Sequence, residues 1–239
     1  MTLVDDDIAR TLSADGYVHA SLTGVLGPAV MNGPDWASFA ASWDDLRLDP
    51  YMGDGGRYRL RRYSEFTIDS TSRRVVLRPH VPYSQPVDIN HLNGGIQRLY
   101  EPFDHAVTGG RTLADVLGWC VSTLTAAEAP GRWTVQAFQN RILARAGEIG
   151  QPTPEGLHRD GVEYVLTLLV DRTSVEGGAS AVYAADTGTR VAEVTLTEPG
   201  ELIFANDVRM LHSVTPLSPA HGVAGHRDVL IAMFTRQYV

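Results

Sequence analysis

Two segments that lie far apart in the chain carry side chains of the kind that bind metal ions. The first is His158-Arg159-Asp160, and the second contains His212, which follows Asp160 by 52 residues. His158 and Asp160 are two positions apart, so on an extended strand their side chains point to the same face. A site that uses all three side chains therefore requires a fold that brings two segments distant in sequence close together in space.

A second His-x-Asp pair, His226-Arg227-Asp228, serves as a comparison for the first. Only eleven residues follow Asp228 and none is histidine, so a third ligand cannot come from downstream. An isolated pair of this kind is usually a surface turn, and only the first copy has a histidine further along that suits it. Two imidazoles and one carboxylate on one face of an octahedral iron are typical of non-heme Fe(II) oxygenases. A protein-kinase loop is excluded, because Val165 stands where that loop needs asparagine and no Asp-Phe-Gly follows.

Composition narrows the class of protein. The chain is 44% apolar and 20% charged with a net charge of −8, which is ordinary for a globular protein and unfavourable for a nucleic-acid surface. The basic stretch 57–62 alternates with apolar residues, which predicts a strand with one solvated face rather than a binding patch. Cys120 is the only cysteine, no apolar run would span a bilayer, and the acidic N-terminus is unlike a secretory signal. We expect a cytoplasmic protein with no membrane or nucleic-acid partner.

The hydrophobic pattern changes character near Pro130. Before it, helices are predicted over 8–12, 35–46 and 112–126, with strands over 16–20, 57–66 and 74–77. After it, short strands dominate, over 133–143, 164–170, 180–184, 190–195, 201–204, 214–217 and 229–235. This pattern predicts a mainly β protein with some α structure: a double-stranded β-helix (jelly roll) core with flanking N-terminal helices. We predict one domain over residues 1–239, with a mixed part over 1–130 and the main jelly roll over 131–239.

That fold would bring the metal-ligand segments together. His158 and Asp160 precede the predicted strand that begins at Tyr164, and His212 precedes the one that begins at Val214. In a jelly roll these strand ends can meet at the mouth of the barrel, which would place a metal and a substrate inside it.

Several segments resemble one family, the small bacterial 2-oxoglutarate- and Fe(II)-dependent dioxygenases that include the L-isoleucine hydroxylases. The first-ligand segment of that family is similar to Pro154–Gly161, the second-ligand segment to Leu211–Leu217, and the terminal strand to Arg227–Leu230. Weaker similarity occurs over 57–59, 83–85 and 93–96. The resemblance extends from about residue 57 to the end of the chain, and its C-terminal segments are the more specific.

The resemblance implies a cofactor set and a role for each matched residue. His158, Asp160 and His212 would hold Fe(II), and Arg227 would pair with the distal carboxylate of the co-substrate 2-oxoglutarate, with O₂ as the oxidant. A physical reason supports Arg227, because a buried dicarboxylate needs a cation and guanidinium matches it in a planar, bidentate way. Arg236 is the rival, but it lies beyond the apolar part of the last strand.

The resemblance also suggests a free aliphatic L-amino acid as substrate, hydroxylated at a side-chain carbon with release of succinate and CO₂. We expect Arg141 to bind its carboxylate, Glu163 its ammonium group, and Tyr83 and Gln85 to line the pocket. Two other functions remain open: a cupin-like enzyme that uses Zn or Mn without 2-oxoglutarate, and a jelly-roll binding protein with no catalytic activity. Arg227 separates the first of these from an oxygenase, since such an enzyme would not need it.

Overall fold

The computed structural model of the chain describes residues 5–238, so the first four residues of the acidic N-terminal segment lie outside it. Its α-helices are α1 (Asp5–Asp15), α2 (Leu22–Val25), α3 (Pro34–Ala41), α4 (His105–Thr108) and α5 (Arg111–Ala127). Its strands are β1 (Tyr17–Ser21), β2 (Arg47–Leu48), β3 (Arg59–Asp69), β4 (Val75–Leu77), β5 (Arg132–Ala144), β6 (Tyr164–Thr173), β7 (Val175–Gly177), β8 (Ala179–Ala184), β9 (Arg190–Thr195), β10 (Glu201–Asn206), β11 (Met210–Val214), β12 (Leu217–Pro219) and β13 (Gly225–Gln237).

The strands form one large antiparallel sheet and smaller ones opposite it. The eight-stranded sheet has the order β1-β10-β6-β13-β5-β3-β2, with β4 added to β3. A three-stranded sheet has the order β11-β8-β9, and β12 pairs with β7. This arrangement confirms the predicted mainly β, double-stranded β-helix fold. Strands from both predicted parts of the chain share the large sheet, because β1 pairs with β10 and β3 pairs with β5.

Helices cover one face of the large sheet. Helix α5 turns an apolar stripe of 3.6-residue period toward it, made by Leu113, Val116, Leu117, Cys120, Val121 and Leu124. These side chains join the main hydrophobic core with alternate residues of the central strands, such as Trp133, Val135 and Ala137 of β5. The helical layer closes this face, so any ligand cavity must lie on the other one.

The opposite face of the large sheet looks toward the small sheets. On β5 the side chains of Phe138, Asn140 and Ile142 point to this side, and on β13 those of Val229 and Ile231 do so. Two smaller apolar clusters fill much of the space between the sheets. The remainder is a cavity at one end of the barrel.

Three predicted element boundaries are wrong in ways that matter. The strand predicted to begin at Val214 is instead β11, which ends there, because Thr215-Pro216 breaks the pairing with β8. His212 therefore lies inside a strand. Strand β13 begins at Gly225, so Arg227 is a ladder residue rather than the residue that opens the strand. The helix predicted over 35–46 divides into α3 and a 3₁₀ turn, Ser42–Asp45.

Within residues 5–238, no helix is both long enough and apolar enough to cross a membrane.

Candidate metal centre and its cavity

Backbone pairing brings two of the expected ligands together. The amide of His158 donates to the carbonyl of His212 at 3.0 Å, and the amide of His212 donates to the carbonyl of His158 at 2.8 Å. The two rings lie 4.4 Å apart between centroids. Asp160 completes the group, with its carboxylate oxygens 4.0 Å from His158 Nε2 and 3.5 Å from His212 Nε2. The three ligand atoms all lie within 4.8 Å of one another, a spacing that suits one metal ion.

Both Nε2 atoms are turned toward Asp160, and an oxygen atom lies on the far side of each ring. Nδ1 of His158 lies 3.0 Å from the carbonyl oxygen of Gly156. Nδ1 of His212 lies 3.9 Å from a carboxylate oxygen of the buried Asp207. An acceptor beside Nδ1 keeps the proton on that nitrogen and frees the Nε2 lone pair, which is the usual arrangement around metal-bound imidazoles.

Asp207 also shapes the loop that carries Asp160. Its carboxylate accepts hydrogen bonds from the backbone N–H groups of Asp160 (3.0 Å), Gly161 (2.8 Å) and Val162 (3.2 Å). Gly161 has a φ of +82°, and a Cβ there would lie 3.0 Å from Ile89, so the turn requires glycine. Residues 158–160 were expected to form a regular strand. They instead form an isolated β-bridge followed by a tight turn. Asp207 was not predicted, because a lone aspartate after a strand carries no distinctive pattern.

The buried charges at this site favour a bound cation. Burial and the neighbouring His158 lower the pKa of His212 to about 4, so its imidazole is neutral and able to ligate a metal. Burial raises the pKa of Asp160, and burial together with the charge of Asp160 raises that of Asp207. Two buried carboxylates this close repel one another, and a divalent cation would remove that penalty. The residues present therefore fit a metal of the Fe(II) type.

The second His-x-Asp pair also has a third residue of the metal-binding type beside it, Asp171, but the three form an ion-pair network. His226 Nε2 lies 2.9 Å from Asp171 and 3.6 Å from Asp228. Arg141 donates to both carboxylate oxygens of Asp228, from Nε at 2.8 Å and from Nη2 at 2.7 Å. The third residue of this cluster, Asp171, lies upstream of His226 in the sequence, so the absence of a downstream histidine does not exclude it. Because a guanidinium already occupies Asp228, this cluster is poorly suited to a metal.

Arg227 is a buried cation without a counterion. It is 2% exposed, and in the part of the chain that the structure describes its Nε and Nη2 have no hydrogen-bond partner. Its side chain lines the same cavity as the three metal-ligand side chains. Burial and then the adjacent Arg172 lower its pKa to about 10. The rival Arg236 is engaged elsewhere, with Glu128 at 2.8 Å and the ring of Trp133.

The cavity has a volume of about 890 Å³, counting its open mouth. Two of the predicted pocket residues line it, Tyr83 and Gln85, and Gln85 Nε2 donates to the carbonyl oxygen of Asp160 at 3.2 Å. Its apolar wall includes Ile89, Phe138, Val165, Ile231 and Met233.

The other two predicted substrate residues lie outside the cavity, and the expectation for them is corrected. Arg141 alternates with Asn140 and Ile142 on β5, so it points to the helical face, where Asp228 and Asp44 bind it. Glu163 accepts a hydrogen bond from the backbone N–H of Arg236 at 2.9 Å. In these positions neither side chain can contact a molecule bound beside the metal ligands.

The basic stretch 57–62 contains cavity residues that the sequence did not reveal. Arg59 and Arg61 are 4% and 7% exposed and line the cavity, so the prediction of a solvated face is wrong for them. Both contact the buried Asp49, with Arg59 Nη2 at 2.8 Å and Arg61 Nε at 3.3 Å. A usable signal was present: Leu60, Phe66 and Ile68 mark the helix-facing side of β3, which leaves the odd-numbered arginines on the other side.

Comparisons with known proteins identify a family and a shared fold. A sequence model of the 2OG-Fe dioxygenase family matches residues 40–233, and a comparison with curated proteins gave no significant match. A bsmA homolog from Methylobium petroleophilum PM1 is 28% identical with a TM-score of 0.88, over 98% of this chain and 94% of that one.

Two more distant structures share the fold. IDO from Bacillus thuringiensis is 15% identical with a TM-score of 0.80, over 100% of this chain and 98% of that one. The Fe(II)/(alpha)ketoglutarate-dependent dioxygenase TqaL is 14% identical with a TM-score of 0.75, over 98% and 88%.

Proposed function

The chain belongs to the 2OG-Fe dioxygenase family, whose members use Fe(II), 2-oxoglutarate and O₂, and we propose that it hydroxylates a side-chain carbon of a free aliphatic L-amino acid. Leucine and isoleucine are the first candidates. The observation that carries the proposal is the placement of an unpartnered buried cation, Arg227, in the same cavity as a His-Asp-His cluster.

In this proposal His158, Asp160 and His212 hold the metal. Two neutral imidazoles and one carboxylate leave room for further ligands on an octahedral ion. When bound, Fe(II) would activate O₂, which is the oxidant. 2-Oxoglutarate would supply two electrons and be converted to succinate and CO₂, so that one oxygen atom enters succinate and the other enters an unactivated C–H bond of the substrate. The task of this chain is to position both molecules and to exclude water.

Arg227 provides the charge that the distal carboxylate of 2-oxoglutarate requires. Its guanidinium is already desolvated, so an anion that reaches it gains a strong, charge-assisted pair. Apolar side chains flank it, including Ile142, Val214 and Val229, and these suit the two methylene groups of the co-substrate. A Zn or Mn enzyme that does not use 2-oxoglutarate would have no need for this buried arginine.

The rest of the cavity suits a small molecule with an apolar tail. A continuous wall is formed by Tyr83, Phe138, Ile231 and Met233. The aromatic rings of Tyr83 and Phe138 pack edge to face, with their centroids 4.8 Å apart. An aliphatic side chain placed against this wall would bury apolar surface, which is favourable, whereas a charged side chain would lose its hydration there. Branched aliphatic side chains should therefore be preferred over charged ones.

A succinate-release assay with Fe(II), ascorbate and 2-oxoglutarate across the twenty L-amino acids tests the proposal. We expect release to rise above background with leucine or isoleucine, and mass spectrometry to show a product heavier by one oxygen. Strong turnover of a peptide, nucleobase or lipid, with none for any free amino acid, would keep the oxidative chemistry and reject the substrate class. Activity with Zn(II) in strict anaerobiosis would reject the chemistry itself.

A further inference from the structure

A second cationic group lies on the floor of the cavity, apart from Arg227. Arg59 and Arg61 both point inward from β3, and the single carboxylate of Asp49 serves both of them. Two guanidinium groups and one carboxylate leave one positive charge in excess. Asp49 is itself buried, at 2% exposed, so water does little to screen that excess.

Arg61 is the member of this group that is free to bind an anion. Arg59 holds Asp49 with two nitrogens, Nε at 2.9 Å and Nη2 at 2.8 Å. Arg61 reaches Asp49 with Nε alone, and among the described residues that Nε has no partner of good hydrogen-bond geometry. Its guanidinium carbon lies 5.2 Å from the ring centroid of Tyr100 and 4.8 Å from that of Phe138. These rings hold the guanidinium group in one orientation.

Strand register separates this group from Arg227. Arg59 is paired with Ile142 on β5, and Ile142 is paired on its other side with Arg227 on β13. One whole strand therefore separates the two cationic positions, which corresponds to about 10 Å between their backbones. Arg61 lies one step further along β3, opposite Asn140. A spacing of this size allows each of the two cationic positions to bind a carboxylate of its own.

An acidic side chain lines the cavity near this cationic group. Glu155 Oε1 accepts a hydrogen bond from Asn90 Nδ2 at 3.1 Å. The same Asn90 donates to Gln85, which in turn donates to the loop of Asp160. Glu155 is thereby fixed in the same wall as the metal-ligand loop. A cation and an anion that both face one cavity form a site for a molecule that carries both charges.

We propose that Arg61 binds the α-carboxylate of the substrate and Glu155 its ammonium group, with Asp49 and Arg59 positioning Arg61. This inference rests on the proposed function and identifies what in the chain would select a free α-amino acid. The aliphatic side chain then lies along the wall of Tyr83, Phe138 and Ile231. An amino-acid amide or an N-acyl amino acid satisfies only one of the two charged groups.

Anaerobic calorimetric titration of the protein loaded with Fe(II) and 2-oxoglutarate tests the proposal without turnover. The probes are L-leucine and L-isoleucine, each compared with its carboxamide. Loss of one partner of a desolvated charge pair weakens binding by about 30-fold or more. We expect Arg61→Gln to weaken binding of the free acids by that factor and to change binding of the amides by less than about 3-fold. Binding of 2-oxoglutarate should change equally little.

Arg62→Gln is the matched control, since Arg62 is the next residue of β3, points to the other face and pairs with Asp45. It should bind all four probes like the unaltered protein. Arg61→Lys keeps the positive charge but loses the planar, bidentate geometry of guanidinium. Its affinity for the free acids should therefore lie between that of Arg61→Gln and that of the unaltered protein. It also remains informative if Arg61→Gln does not fold.

Two results would overturn the inference while the proposed function stands: unchanged binding of the acids by Arg61→Gln, or an equal loss for acids and amides. A different result would reject the substrate class together with the inference. In that case the unaltered protein binds no free amino acid, yet releases succinate in the presence of another compound.

Discussion

Replacing Arg227 by methionine should make the ligand-free protein more stable. The side chain of Arg227 is 2% exposed, and its pKa falls from its ordinary value to about 10 because of burial and then the charge of Arg172. A decrease of that size means that the charged form is disfavoured in the folded protein by about 3 kcal/mol. Methionine fills the space of the aliphatic stem and removes the charge. Allowing for lost guanidinium contacts, we expect the free energy of unfolding to rise by about 1 to 3 kcal/mol.

The pH dependence of this effect has a definite sign. Below pH 10 the side chain of Arg227 is protonated in both the folded and the unfolded protein, so the penalty is constant. As the pH rises above 10, the folded protein loses this proton first and the penalty shrinks. The stability difference between Arg227→Met and the unaltered protein should therefore stay level between about pH 7 and 9.

Urea denaturation followed by circular dichroism, with and without anaerobic Fe(II) and 2-oxoglutarate, measures both parts of the effect. At a co-substrate concentration of 100 times Kd, the unaltered protein should gain about 2.7 kcal/mol. If Arg227→Met binds 2-oxoglutarate about 30-fold more weakly, it should gain less than about 1 kcal/mol. The reasoning is refuted if the variant is less stable than the unaltered protein without ligand, or if both gain the same stability from 2-oxoglutarate.

Three further predictions concern the metal centre. Alanine in place of any one of His158, Asp160 and His212 should abolish succinate release and weaken anaerobic Fe(II) binding, while changing the unfolding midpoint little. Asp228→Asn should keep Fe(II) binding and lose about 2 kcal/mol of stability, because Arg141 then retains only the exposed Asp44 as its acidic partner. A loss of Fe(II) binding in this variant would mean that the other His-x-Asp pair holds the metal. Asp207→Asn should weaken Fe(II) binding by about 10- to 100-fold in the same titration, and unchanged affinity would show that the Asp160 loop holds its shape without that carboxylate.

The parts of the structure that the sequence predicted well are those with a strong periodic signal. Alternation and turn residues beyond Pro130 led to the jelly roll, and the 3.6-residue stripe near Leu113 led to α5. The three metal-ligand residues carry an uncommon combination of side chains, and the structure brings them within ligand distance of one another. The family resemblance implies a co-substrate role for Arg227, and the structure places this residue in the same cavity as the metal-ligand residues.

The substrate side of the cavity could not be predicted, because it depends on which face of each strand turns inward. Arg141 was chosen for its charge, and the alternation of β5 sends it to the helical face. The alternation of basic and apolar residues over 57–62 predicts a solvated face for Arg59 and Arg61, and buried arginines are rare. Their burial depends on Asp49, which lies ten residues before Arg59 in sequence and belongs to no recognisable motif. Asp207 also belongs to no recognisable motif. Its partners are backbone N–H groups, which leave no pattern in the sequence.

Mass spectrometry of the product formed under ¹⁸O₂, with succinate measured in the same samples, tests the central claim most directly. With Fe(II), 2-oxoglutarate and L-leucine or L-isoleucine, we expect a product that contains one additional oxygen atom derived from ¹⁸O₂ and succinate that forms in step with it. Exchange with water can dilute the label but should not remove it. Product that forms without O₂, or without consumption of 2-oxoglutarate, would contradict the assignment of Arg227 and the His158-Asp160-His212 cluster to one oxygenase site.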